Sequence, residues 1–288
     1  MTDGKIISYH PALEADTNLL LVSQRPLGPH DERAVAAAAA VLLPQSPRPD
    51  LHALVKAHAK PHFPRAEVQL NDDGKVGNHR LFTRLGLDQP ETVEFGDLAA
   101  AVRAWRQGRV PGGGGAPLVA KGAGGGEGRN VFLVRGPDEL HALGPRLETR
   151  CARGPDGLVL QEYIDTGGRD LRVIFIGPWE DAFWRVADGD DFRTNLSQAG
   201  RIVRGGEGPE MARAVEMARR LRQAAELDVA AVDMVVTPDG RPLLLEINFA
   251  FGRRALGGTG PFLKRYLEAV RYWLQGLGLD PVRVRLAV

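Results

Sequence analysis

The chain has 288 residues, 43% of them hydrophobic, with 37 basic against 36 acidic side chains and a formal net charge of +1. That balance gives no global field for nucleic acid or an anionic membrane, so neither is expected as a partner and any ligand must be read from local sites. One cysteine excludes an internal disulfide framework. The longest apolar run, residues 34–43, is too short to span a bilayer, and the first residues lack a signal-peptide hydrophobic stretch. A cytoplasmic protein of two or three lobes is the expectation.

Residues 1–74 suggest strands at 5–9, 18–22 and 41–43, with an alanine-rich helix over about 31–40 and a second helix over about 49–59. Strands alternating with helices predict a small parallel sheet. The histidines at 10, 52, 58, 62 and 79 match no zinc spacing and read as surface or core residues. Cys151 has no general-base motif around it, so a nucleophilic role is not expected.

Residues 117–121 then read as a short strand ending in Lys121, followed by the loop Gly122 to Gly128 and a second strand at 130–134. Glycines let backbone N–H groups turn toward an anion, and Lys121 can place a point charge on a phosphate. No glycine here is followed by Lys and then Ser or Thr, and a strand rather than a helix follows, so this is not a Walker loop. Nor does any stretch give the full Gly-x-Gly-x-x-Gly spacing. A flexible glycine hairpin is an equal reading of this loop on its own. The run Gly112 to Gly115 reads as a plain connection.

Residues 157–164 form a strand that enters a polar bend and leaves through a second strand ending near Gly177. Helices are expected over 209–226 and 261–276. Between them, Val229–Val236 and Arg241–Asn248 are apolar strands joined by Thr237-Pro238-Asp239-Gly240, a turn that predicts antiparallel pairing. The polar residues breaking their pattern are Asp233, Glu246 and Asn248. Glu246 and Asn248 are two apart and share a face, which Asp233 joins if the strands pair as the turn suggests. Two carboxylates and an amide on an apolar ribbon suit Mg²⁺ held together with substrate phosphates. Read from the hairpin alone, Asp233 could instead be a turn residue and Glu246 the partner of an arginine.

The order of these pieces is more specific than any one of them: strand with lysine, glycine loop, strand, helix, Gln-Glu-Tyr-Ile, Gly-x-Asp-Leu-Arg, a later Asn, then Asp and Glu-x-Asn on paired strands. Over about residues 75 to 258 this resembles the ATP-grasp superfamily, and within it the RimK-like branch of carboxylate–amine ligases. The resemblance implies an α/β (α+β) ATP-grasp fold, with a pre-ATP-grasp domain at 1–74, a central lobe at 75–160 and a C-terminal lobe at 161–288. It implies ATP and Mg²⁺ as cofactors. Lys121 would contact the α- and β-phosphates, the loop containing Gly124, Gly125 and Gly126 would close over them, and Lys75 resembles an earlier lysine of the branch. Gln161, Glu162, Tyr163 and Ile164 would form the adenine hinge, with Asp170 and Asn195 also at the nucleotide. Arg172, Arg185 and Arg193 would stabilise the transferring phosphoryl group, and Asp233, Glu246 and Asn248 would hold magnesium.

Two departures stand out. The family usually has Asp before the early lysine, where this chain has Gly74. After Asn248 the branch continues with small residues and Pro-Gly, where this chain has Phe249-Ala250-Phe251-Gly252-Arg253-Arg254. The second change lies beyond the metal ligands and bears on the substrate: Arg253 and Arg254 are candidates to bind the carboxylate of an acidic amino acid or peptide. The implied activity is ADP-forming ligation of a small-molecule acid to an amine through an acyl-phosphate. The alternatives are an ATP-binding regulatory or scaffold protein with little turnover, and a nucleotidyl or phosphotransferase. A homo-oligomer is left open.

Overall fold

The protein is described from a computed structural model covering residues 4–22, 25–115, 117–125, 129–187, 201–205 and 208–287. The N-terminal elements are β1 (Lys5–Ser8), β2 (Leu13–Glu14), β3 (Thr17–Asn18), α1 (Pro29–Ala37), β4 (Ala38–Leu42), α2 (Pro49–Ala57) and β5 (His62–Phe63). They build a parallel sheet in the order β3-β1-β4-β5, the small parallel sheet expected from the sequence. Two boundaries differ from the sequence reading. The alanine-rich helix stops at Ala37, and Ala38–Leu42 is a strand. Its position between β1 and β5 buries Ala38, Ala40, Val41 and Leu42, and burial in a central parallel strand overrides alanine's helix preference. The strand expected over 18–22 is reduced to Thr17–Asn18; Leu20 and Val22 are exposed.

Next come α3 (Glu67–Asn71), α4 (Gly74–Leu85), β6 (Thr92–Phe95), α5 (Leu98–Arg106), β7 (Leu118–Gly122), β8 (Val131–Val134), α6 (Pro137–Ala142) and β9 (Leu158–Glu162). The four strands form an antiparallel sheet, β6-β9-β7-β8, which runs two residues past position 160.

The third sheet, β12-β11-β10-β13-β14, is also antiparallel: β10 (Arg169–Ile176), β11 (Trp179–Val186), β12 (Arg201–Val203), β13 (Val229–Val236) and β14 (Pro242–Asn248). Its two faces are read from the strand period of two. Leu171, Val173 and Phe175 of β10, with Ala230, Val232 and Met234 of β13, pack against Ala214, Met217, Ala218 and Leu221 of α7 (Pro209–Ala224). Ile174 and Ile176, with Val229 and Ala231, pack on the opposite face against Phe262, Tyr266, Ala269 and Val270 of α8 (Thr259–Gly276) and against Ile6, Leu42 and Phe63 of the N-terminal sheet. Asp170, Arg172 and Asp233 have the parity of this second face, so the sheet carries apolar side chains under α8 and charged ones farther along the same surface. A short pairing of β15 (Arg285–Leu286) with β2 ties the last elements to the first. Among the described residues no helix is long and apolar enough to cross a membrane.

Candidate functional site

A cleft lies between the central and C-terminal sheets, lined by Lys75, Lys121, Gln161 to Ile164, Asp170, Arg185, Asp233, Leu245 and Glu246. One wall is basic. Lys121 on β7 is buried, and its Nζ donates to Gln161 Oε1 at 2.5 Å. Burial pulls its pKa down to about 8, with Glu246 and Asp233 opposing and Lys75 assisting. Lys75 enters from the first turn of α4, donating to the Gly125 carbonyl at 2.6 Å and pairing with Glu246 Oε1 at 3.1 Å. The lysine is delivered by Gly74, whose φ of +77° is strained for a side chain; a Cβ there would stand 2.5 Å from the Ala123 carbonyl oxygen and 2.9 Å from Cys151 Sγ. This accounts for glycine where the family usually has Asp. Asp73 instead caps the helix, accepting from the Gly74 amide at 2.9 Å, and burial raises its pKa.

The opposite wall is an interlocked set of ion pairs. Arg172 and Asp233 face one another across β10 and β13, and Asp233 faces Glu246 across β13 and β14, so the three lie in one row. Arg172 donates to both oxygens of Asp233 at 2.7 Å. Arg185 on β11 grips Asp170, its cross-strand neighbour, with Nε at 2.7 Å, and lies 3.1 Å from Asp233 Oδ2. Asn248 Nδ2 adds a hydrogen bond to Asp233 at 3.0 Å. Burial alone would raise the Asp233 pKa, but Arg172 and Arg185 hold it below the ordinary carboxylate range; the same carboxylates keep Arg185 charged. The register shifts between Asp233 and Met234, a bulge that lets Leu245 and Glu246 both line the cleft. Two carboxylates and an amide converge here, a hard-oxygen donor set of the type that suits magnesium. Glu246 is the more open of the two carboxylates, with 29% of its side chain exposed against 6% for Asp233.

The structure thus brings together Lys75, Lys121, Gln161, Glu162, Tyr163, Ile164, Asp170, Arg172, Arg185, Asp233, Glu246 and Asn248. Gly124 and Gly125 are not among the lining residues; the Gly125 carbonyl accepts from Lys75, and the Gly124 carbonyl from Asn130 Nδ2 at 2.9 Å. Gly126, Arg193 and Asn195 lie outside the described residues. Arg253 and Arg254 are not among the residues lining the cleft. Arg253 stacks 4.1 Å above the Phe262 ring and reaches Gln45 Oε1 at 3.3 Å, between the C-terminal sheet and the end of β4, while Arg254 is exposed.

Sequence reasoning missed Asn78. On α4, three residues after Lys75, it is buried; its Oδ1 accepts from the Ile247 amide at 2.7 Å and its Nδ2 donates to the Asp72 carbonyl at 2.8 Å. It fixes the Glu246–Asn248 strand relative to the helix that carries Lys75. A polar residue on an otherwise apolar helix stripe was the available signal. Thr92 was missed too: its hydroxyl accepts from Gln161 Nε2 at 2.9 Å and orients the amide that receives Lys121.

The chain belongs to the RimK-like ATP-grasp family, whose domain model matches residues 74–258. It is similar to the probable alpha-L-glutamate ligase of Parasynechococcus marenigrum, 34% identical over 181 residues, which make up 60% of this chain and 35% of that protein. A probable alpha-L-glutamate ligase of Legionella pneumophila is 34% identical over 142 residues, 48% of this chain and 44% of that one. The chain therefore spans less than half the length of these relatives. Among solved structures, a RimK domain ATP-grasp protein from Sphaerobacter thermophilus superposes with a TM-score of 0.59 at 19% identity, covering 88% of this chain and 89% of that one. The ATP-grasp ligase PsnB, complexed with a phosphomimetic variant of its minimal precursor, Mg and ADP, gives 0.55 at 16% identity over 92% and 97%. The ATP-grasp fold expected from the sequence is the fold observed.

Proposed function

We propose that the protein is an ATP-dependent carboxylate–amine ligase that activates an acid as its acyl-phosphate and releases ADP and phosphate. The observation that carries this reading is the facing of the two walls: Lys75 and Lys121 on one side, and the Arg172–Asp233–Glu246 row on the other, with residues 161–164 at one end of the cleft. A carboxylate is a poor electrophile, and the chemistry is solved by moving the γ-phosphoryl group onto it and letting an amine displace phosphate. Little covalent work falls to the side chains; they position the reactants and offset charge. Lys121 and Lys75 bind the nucleotide's phosphates, and backbone groups of Glu162 to Ile164 read the adenine edge. Asp233, Glu246 and Asn248 would hold magnesium, which would offset the phosphates' charge. Arg172 and Arg185, which pair with Asp233, would offset the charge on the transferring phosphoryl group. Three sheets support a reading as three lobes divided near residues 74 and 160.

The relatives' name makes glutamate the first substrate to test, and Arg253 suits a carboxylate on it. ATP should be converted to ADP only when a competent acid and amine are both present, in a panel of glutamate, other amino acids and short acidic peptides. AMP and pyrophosphate as products would replace this reading with a nucleotidyl transferase. Nucleotide binding with no turnover on any pair would leave a regulatory ATP-binding protein.

A further inference from the structure

The histidines at 52 and 62 match no zinc spacing in the sequence, yet the fold brings them together with an acid from a third element. His52 lies on α2, His62 opens β5 and Glu67 opens α3, and one ligand atom from each lies within 4.8 Å of the others. The two rings meet edge-on with centroids 5.3 Å apart. Both Nε2 atoms are buried and have no hydrogen-bond partner. A folded protein rarely leaves buried polar atoms in that state without a reason.

The hydrogen bonding decides what these atoms can accept. His62 Nδ1 lies 3.0 Å from the Lys60 carbonyl oxygen. A carbonyl only accepts, so Nδ1 carries a proton and Nε2, inside the cluster, is the nitrogen left to coordinate. A ring nitrogen held by a backbone carbonyl while the other faces a cation is the usual outer arrangement of a metal-bound histidine. His52 Nε2, likewise without a hydrogen-bond partner, is the second imidazole nitrogen in the cluster. Glu67 Oε1 lies 3.6 Å from His52 Nε2 and already attracts a cation, the Lys56 ammonium at 2.8 Å. Lys56 has 54% of its side chain exposed and can swing into solvent.

We propose that His52, His62 and Glu67 form a binding site for a divalent transition metal, zinc by preference, separate from the nucleotide cleft. Two imidazoles and one carboxylate are three of the four ligands of a tetrahedral zinc site, with water as the fourth. For bonds of about 2.0–2.1 Å the ligand atoms must close to roughly 3.4 Å of one another. Side-chain rotation suffices for this once Lys56 leaves. The bound metal joins α2, β5 and α3, the last of which runs directly into the Asp73–Lys75 turn.

The test uses tag-free, chelator-treated full-length protein and zinc added in the presence of excess magnesium. About one equivalent of zinc should survive gel filtration, and the melting temperature should rise by several degrees. Cobalt(II) in place of zinc should give a tetrahedral absorption spectrum. His52→Gln, His62→Gln and Glu67→Gln should each lower retained zinc at least about tenfold, in line with loss of a direct ligand. His141→Gln, at an exposed position, should retain it in full. Because a variant in this cluster can fail by unfolding, a second measurement uses wild type alone: zinc should shift the Nε2 resonances of two histidines in a long-range imidazole ¹H–¹⁵N spectrum. No retained zinc, retention unaffected by the three substitutions, or unmoved imidazole resonances would each overturn the site.

Discussion

The two walls of the cleft handle charge in opposite ways. On the β11–β10–β13–β14 wall, Arg172, Arg185, Asp170 and Asp233 are paired to one another at 2.7–3.1 Å, and Asn248 takes a further place on Asp233. On the other wall Lys121 is buried against a neutral amide oxygen, and its charge is costly enough for its pKa to fall to about 8. The first wall is closed on itself by these ion pairs. In the proposed function a phosphate would offset the cost of burying Lys121 on the second. One set of residues holds the sheet together, and the other is the set proposed to bind.

Removing a carboxylate from the self-paired wall should have the largest effect. Asp233→Asn leaves two buried guanidinium groups short of a partner, and breaking a buried pair of this type costs about 3–5 kcal/mol. Thermal or urea unfolding should show that loss, and magnesium-dependent stabilisation by ATP should disappear with it. Stability equal to wild type would mean that the ion-pair set contributes little.

Lys121→Met should do the reverse: stability held or raised, because a buried charge is removed, and ATP affinity lowered about 10-fold to 100-fold, as expected for a charge-assisted contact of about 1.5–3 kcal/mol. Calorimetric titration alongside unfolding checks both signs. A fall in stability with unchanged affinity would make Lys121 a structural residue.

The same contrast has a pH signature. The folded pKa of Lys121, about 8, lies below the value of about 10.4 expected for an unfolded lysine, so the folded state loses this proton first. Its contribution to stability therefore rises with pH across that window, while affinity for ATP falls as the ammonium is lost. Both trends should be absent from Lys121→Met and so appear in full in the difference between wild type and that variant. An ATP affinity that stays flat through pH 8 to 9.5 in wild type would contradict the assignment.

Much of this contrast was legible in the sequence. The Pro-Asp-Gly turn fixed the pairing of β13 with β14, and period two then put Asp233, Glu246 and Asn248 together. Lys121 at a strand end before glycines marked the other wall. The pairing of Arg185 with Asp170 was not legible, because it depends on the β10–β11 register, and neither strand's pattern specifies which arginine meets which acid. The partners of Asn78 were hidden for the same reason: its place on the helix stripe marked it, but it bonds backbone groups at Ile247 and Asp72, which no side-chain pattern records. Ala38–Leu42 misled because local helix propensity competes with burial, and burial is decided by neighbours distant in sequence.

The smallest effect is expected outside both walls. Arg253 leans on the Phe262 ring, a contact of about 0.5–1 kcal/mol at a half-exposed site, so replacing Arg253 and Arg254 by Gln should alter stability little. The KM for the acid should rise while that for ATP stays nearly constant. An increase confined to ATP would move these arginines to the nucleotide.

The most direct test of the central claim follows oxygen. With glutamate, or whichever acid the panel identifies, labelled with ¹⁸O in its carboxylate, activation as an acyl-phosphate and displacement by the amine leave one labelled oxygen in the released phosphate, with ADP as the nucleotide product. Label appearing in inorganic phosphate is the predicted result. ADP formation with unlabelled phosphate would contradict the account, since the γ-phosphoryl group would then have passed to water rather than to the acid.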